Sequence, residues 1–267
     1  MKNFWRGFFA ECCLGEVQTA MKNILYVSLI VAVGTFTLVG CSQKLSDIQT
    51  EYLRMMEEPA TPENISATGD YLEKNLKRFD INHADQMVIA FEDYIYSYDS
   101  EHMDYSMFLD RFGKYVSQPL CGLYEIKIEE QENPAIVGAK LQKSWRELCE
   151  RAHFLEVFIK DNKNYQLIQE ETAGIYDHYL KAILMGTTEN PVFNYDNGSF
   201  NDEAQNAYID FTAAYPDTTV ADIMNEYFAY LSSIHFILDY KDAAEITVFS
   251  DTCVYLVSEA RKRACNK

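Results

Sequence analysis

Structure breakers are scarce in this chain. Six prolines and eleven glycines among 267 residues leave helical spacing almost uninterrupted, which points away from strand-rich folds whose turns need such residues at short intervals. Positive charge is also short: 23 Lys and Arg stand against 41 Asp and Glu, a net −18. A field of that sign repels nucleic-acid phosphates and anionic lipid headgroups, so no nucleic-acid partner is expected. There is no HExxH, so the two-histidine helical face of a zinc peptidase is missing. There is no CxxC, which disfavours structural zinc and thioredoxin-type redox chemistry, and no GxSxG nucleophile elbow. No cofactor, metal ligand or catalytic residue is assigned. Aromatics, in contrast, are plentiful at 14%, with 19 Tyr, and a disordered chain has no core in which to bury them.

The longest apolar run, Ile24 to Val39, is preceded by Lys22 and followed by Gly40 and Cys41. Its sixteen residues fall short of the roughly 20 needed to span a bilayer, and a basic residue, an apolar core and small residues in that order form an export signal. Leu38, Val39, Gly40 and Cys41 resemble the lipobox of bacterial lipoproteins. The resemblance implies a diacylglyceryl group on the Cys41 sulfur, cleavage before Cys41, and a protein held on the extracytoplasmic face of the cell membrane. Two acyl chains hold firmly where one gives marginal binding. Residues 1–20, with Phe4, Trp5, Phe8, Phe9, Glu11 and Glu16, do not make a simple basic leader, and Met21 followed by Lys22 is the better start. The resemblance covers this leader alone. Residues 1–40 are read as signal peptide, 41–60 as a lipidated polar tether with one helix-compatible stretch around Ile48 to Met56, and 61–267 as a single all-α domain.

Removing residues 1–41 leaves 20 basic and 39 acidic residues. The membrane attachment must then come from the anchor rather than from a basic surface. Four cysteines remain, Cys121, Cys149, Cys253 and Cys265. An exported compartment permits disulfides, and the pairing left open is Cys121 with Cys149. Cys149 also reads as a small hydrophobe on a helical stripe. On one helix Cys253 and Cys265 would be about 18 Å apart along the axis, too far to join.

Thr61 and Pro62 mark a helix start, capping residue then proline in the first turn. Asn82 is the next cap candidate, and Ala84, Met87, Val88, Phe91, Tyr94, Ile95 and Tyr98 repeat at helical steps. Another helix follows from Met103 toward Val116. Leu120 to Ile128 partly alternates like a strand, but the lack of a nearby partner favours helix. A long helix is expected from about Pro134 to Ile159, and its antiparallel partner from Tyr165 to Met185, closed by Gly186. Residues 191–200 look unlike helix. Asn197 and Gly198 between aromatic flanks signal a type I′ turn, hence a short hairpin or ordered loop. Helices resume over 202–214, from 218 or 219 to Leu238, and over 242–264. The expected fold is an irregular all-α bundle of about seven to nine helices built from antiparallel hairpins. Trp145 and Leu148 stand as in the opening of a tetratricopeptide motif, but Cys149 and Ala152 occupy its glycine and aromatic positions and no 34-residue period recurs.

Four sets of residues deserve weighing for chemistry. Cys149 and His153, one helical turn apart with Glu156 beyond, imitate a metal face, but a core cysteine beside an edge histidine explains them better. Asp177 and His178 point about 100° apart on a helix and are read as a solvated face, with Glu170 or Glu171 within reach of His178. Asn194, Asp196, Asn197, Asn201, Asp202 and Glu203 offer calcium-like oxygens, but their spacing fails the EF-hand template, and a turn followed by a helix cap at Asn201 or Ser199 uses the same residues. Tyr94, Tyr96, Tyr98, Tyr227 and Tyr230 lie on more than one helix face, so some phenols reach the surface, where aromatics beside carboxylates suit glycan stacking or peptide binding. The reading is a lipid-anchored helical binding module of the bacterial envelope, its partner a protein, peptide or glycan. The alternative is an envelope hydrolase with an unfamiliar acidic site. A transporter's substrate-binding lipoprotein is disfavoured, because it needs two α/β lobes.

Overall fold

The computed structural model describes residues 41–100 and 102–266. The signal-peptide assignment to residues 1–40 lies outside them, as does the side chain of Cys41. Ten helices occupy the described residues, with one two-stranded sheet, so the fold is the expected all-α one. Contacts cluster in two compact units, Met1–Ile128 and Glu129–Lys267, and the span read as one domain covers parts of both.

In the first unit, α1 (Cys41–Glu57) takes up most of the stretch read as a tether. Its Ile48, Tyr52 and Met56 are spaced four apart and buried, and the Tyr52 hydroxyl donates to Met87 O at 2.7 Å. The helix-compatible stretch is thus a packed helix, which brings the count among the described residues to ten. α2 (Pro62–Leu76) starts where Thr61 and Pro62 require, with the Thr61 hydroxyl accepting Asn64 N. α3 (Ile81–Tyr98) is capped by Asp80 rather than Asn82, its carboxylate accepting His83 N at 3.0 Å. α4 (Tyr105–Phe112) and α5 (Gln118–Glu132) follow. α5 resolves the ambiguous segment as helix. Leu120, Leu123, Tyr124 and Lys127 share one buried face at three- and four-residue steps, and the apparent alternation was a by-product of that spacing. Phe91, Phe108, Phe112 and Tyr124 form the aromatic core, Phe108 stacked on Tyr124 at 5.0 Å.

The second unit carries β1 (Ile136–Val137) and β2 (Lys140–Leu141), antiparallel with Ile136 opposite Leu141. The long helix therefore does not begin near Pro134. Gly138 takes φ +59° in the turn, and α6 (Trp145–Asp161) starts after a full capping box between Ser144 and Glu147. α6 packs on α7 (Gln166–Met185) as the expected hairpin. α8 (Asp202–Ala214), α9 (Thr219–Ser233) and α10 (Ala243–Asn266) complete the unit. α7 ends at Gly186, φ +74°, and two of its terminal carbonyls find partners in other helices. Tyr208 of α8 donates to Ile183 O and Tyr227 of α9 to Leu184 O at 2.7 Å. Helix-end carbonyls have no partner within their own helix, and here buried phenols supply one while filling the core. Tyr227 is thus fully buried and leaves the set of surface tyrosines; of the others, Tyr94 is buried and Tyr98 is 52% exposed. All four cysteines are free thiols, Cys149 and Cys253 buried in the core, so no Cys121–Cys149 bond is present.

Candidate functional site

The most distinctive surface is non-helical. It joins residues 193–200 to the chain leaving α9. Phe193 bridges Phe200 in antiparallel fashion, Asn194 N donates to Ser199 O at 2.8 Å, and Gly198 N donates to Asn194 O at 2.8 Å. Gly198 has φ +72° while Asn197 does not share the positive φ. The expected hairpin is present, but its turn is a four-residue loop closed by one left-handed glycine and not the type I′ turn, which needs two positive φ values.

α9 stops at Ser233, short of the expected Leu238, because His235 and Phe236 adopt φ +54° and +58°. Side chains other than glycine in this region cost roughly 1–2 kcal/mol each, and such strain persists where surrounding structure enforces it. The enforcement is visible. Phe236 N donates to Leu231 O at 2.8 Å, Phe200 N to Phe236 O at 3.0 Å, and Leu238 N to Gly198 O at 2.9 Å. Ser199 then bridges Ile237. A Cβ on Gly198 would strike the Leu238 carbonyl, so the glycine serves both the turn and this close crossing. Beneath, Phe193 meets Phe200 and Phe249 edge to face at 5.2 and 5.3 Å.

The crossing exposes apolar groups. Ile237 is 54% and Tyr195 44% exposed, and the Tyr195 ring packs on Tyr240 at 5.1 Å. The Tyr240 hydroxyl donates to Phe193 O at 3.2 Å. Partial burial raises both phenol pKa values above the ordinary tyrosine range, so both remain protonated donors. Around them stand Asp196, Asp239, Asp242 and Glu245. Glu245 accepts Asp239 N at 3.1 Å and Asp239 accepts Lys241 N at 2.8 Å.

The sequence candidates fare as follows. Cys149 is a core residue, and His153 sits at the edge of α6 with its ring 4.9 Å from that of Tyr215. Glu156 is committed to protein backbone: buried, it accepts Thr219 N at 2.7 Å and Val220 N at 3.0 Å and pairs with Lys160. Its pKa lies below the usual value because the hydrogen bonds from Lys160, Thr219 and Val220 outweigh the opposing effect of burial. His178 is exposed, but Asp177 is not the solvated residue expected; it pairs with Arg261 at 2.9 Å, and burial raises its pKa. The amide oxygens offered to calcium are occupied locally. Asn194 accepts Asp196 N, Asn197 accepts Ser199 N, and Asn201 caps α8 by accepting Glu203 N and Ala204 N. Among the described residues no group of three or more His, Cys, Asp or Glu is placed to hold a metal ion, and no helix is long and apolar enough to cross a membrane. A cavity of about 310 Å³ in the first unit, lined by Asp70, Glu73, Lys74, Lys77 and Tyr115, mixes both signs of charge.

The two-loop surface draws in Tyr195, Ile237, Tyr240 and the turn at His235 and Phe236. Of it, Asn194, Asp196, Asn197, Gly198 and Ser199 were singled out from sequence. Neither glycine nor asparagine marks positions 235 and 236, so no local signal announces the turn. The chain matches no protein-family model, no curated protein and no solved structure.

Proposed function

We propose that this protein is a lipid-anchored, extracytoplasmic helical binding module of the bacterial cell envelope, with the two-loop surface as its binding face. The observation that carries the reading is the order Leu38, Val39, Gly40, Cys41 at the end of an apolar run. The binding part is supported by exposed Tyr195 and Ile237 on a rigidly braced crossing. The hydrolase alternative draws less support, because the most buried carboxylates, Asp85 and Glu156, bond backbone N–H groups at helix starts. On this reading the anchor leads directly into α1. Ile48, the first buried side chain among those described, lies seven positions after Cys41, a rise of about 10 Å along a helix, so the first unit stands close to the lipid surface rather than on a long flexible tether.

Intact mass of the native product tests the proposal. The expected mass is that of residues 41–267 carrying a diacylglyceryl thioether, recovered with membranes. An unmodified Cys41 thiol with residues 1–40 retained, or recovery in the cytosolic fraction, overturns it.

A further inference from the structure

Between Ala182 and Ala260 the chain carries thirteen acidic residues and a single Lys or Arg, Lys241. That segment contains the whole two-loop surface. Ion pairs hold other acids of the second unit, Glu129 and Glu130 to Arg151 and Glu226 to Arg263. Asp196, Asp239, Asp242 and Glu245, at the loop surface, take no such partner among the described residues. Three of them accept backbone donors, Glu245 from Asp239 N, Asp239 from Lys241 N and Asp242 from Ala244 N. Exposed apolar groups and uncompensated carboxylates therefore share one face, and the opposing side chains, Lys241 and His235, are too few to balance them.

The geometry points to a cationic, apolar-bearing peptide segment of another protein as the occupant of this surface, an aliphatic side chain lying on Ile237 and the Tyr195 ring while neighbouring Lys or Arg side chains meet Asp196 and Asp239. This deepens the binding-module reading and rests on it. The acidic segment would draw a cationic chain by long-range attraction. The tilted Tyr195 and Tyr240 rings, 49° apart, present faces suited to a cation as well as to a methyl group. They do not form the flat shared platform that sugar stacking requires.

The test is fluorescence anisotropy of the full chain with a labelled synthetic peptide alternating Lys and Leu, against controls in which Ser replaces Leu or Glu replaces Lys. Saturable binding of the Lys and Leu peptide alone is expected, weakening as salt rises. Ile237→Ser and Tyr195→Ser should each raise the Kd about tenfold, the loss of roughly one anchoring contact. Both side chains are exposed, and unchanged thermal melts will show that the variants fold. Asp196→Asn with Asp239→Asn should flatten the salt dependence. Equal binding of the Ser control, or no change in the Ile237 and Tyr195 variants, overturns the proposal, as does binding of a neutral oligosaccharide at this face without the peptide. The last result would leave the binding-module reading standing. Peptide binding by a product whose Cys41 is unmodified would keep the peptide site and remove the anchor.

Discussion

Each unit closes the start of one helix with a buried carboxylate from another, and the two carboxylates respond to burial in opposite directions. In the first unit Asp85 of α3 accepts Ser117 N, just ahead of α5, at 2.8 Å. In the second, Glu156 of α6 accepts the first two amides of α9 and takes Lys160 as a counter-ion. Burial raises the Asp85 pKa against the opposing hydrogen bonds from Ser117, whereas the larger donor set brings that of Glu156 below its ordinary value. Burial alone does not decide whether an acid is strained or settled. The number of donors facing the charged form does.

The sharpest way to break this contrast is Glu156→Ala, which leaves two helix-start amides without their acceptor and Lys160 without its partner. We expect a loss of about 4 kcal/mol by urea denaturation; a loss below about 1 kcal/mol would show that water replaces the carboxylate without penalty. Gly198→Ala attacks the chain beyond the other end of α9, where the added methyl meets the Leu238 carbonyl at a left-handed φ. A cost of about 3 kcal/mol is expected, with near-UV circular dichroism reporting the disturbed aromatics. Glu156→Gln keeps one acceptor and should cost about 2 kcal/mol.

The pH dependence separates the units. The Glu156 pKa is depressed, so its contribution is present above the unfolded value near 4.5 and is lost as pH falls through the folded value. The Asp85 pKa is raised, so its contribution is present below the unfolded value near 3.8 and is lost as pH rises through the folded one. Amide hydrogen exchange between pH 3 and 6 should show α9 protection falling with acid while this residue's effect on α5 runs the other way. Parallel behaviour would remove the distinction. The smallest effect belongs to Asp85→Asn, which retains an acceptor for Ser117 N and removes the charge. It should leave stability unchanged or raise it by up to about 1 kcal/mol at neutral pH.

The same rule governs what could be read in advance. The Thr61 and Pro62 start, the α6 and α7 hairpin, the Gly186 stop and the Asn201 cap depend on residues within a turn of each other. Those signals are local, and the structure repeats them. The start of α6 was expected near Pro134 rather than at Trp145 because Leu141, four residues before Trp145, continues the helical period although it lies in β2. Between residues 41 and 60 the helix-compatible stretch from Ile48 to Met56 was legible, but its packing was not, because what Ile48, Tyr52 and Met56 bury against includes groups far along the sequence. In the candidate surface, Asn197 and Gly198 announced a turn. Its partner segment at Ile237 carries no turn residue and takes its path because Phe236 is held by Phe200 and Leu231.

By its own order of residues the chain determined a helical fold, its main caps and stops, a strongly acidic body, and the cysteine that ends its apolar run. Tertiary structure alone decided that α1 packs, that Tyr208 and Tyr227 complete the end of α7, that Glu156 is an anchor for α9, and that His235 and Phe236 turn left-handed to lay Ile237 beside Ser199. The division has one physical cause. Periodicity and capping are energies of neighbours in sequence, whereas a buried charge or a strained turn is tolerated only when distant groups arrive to satisfy it.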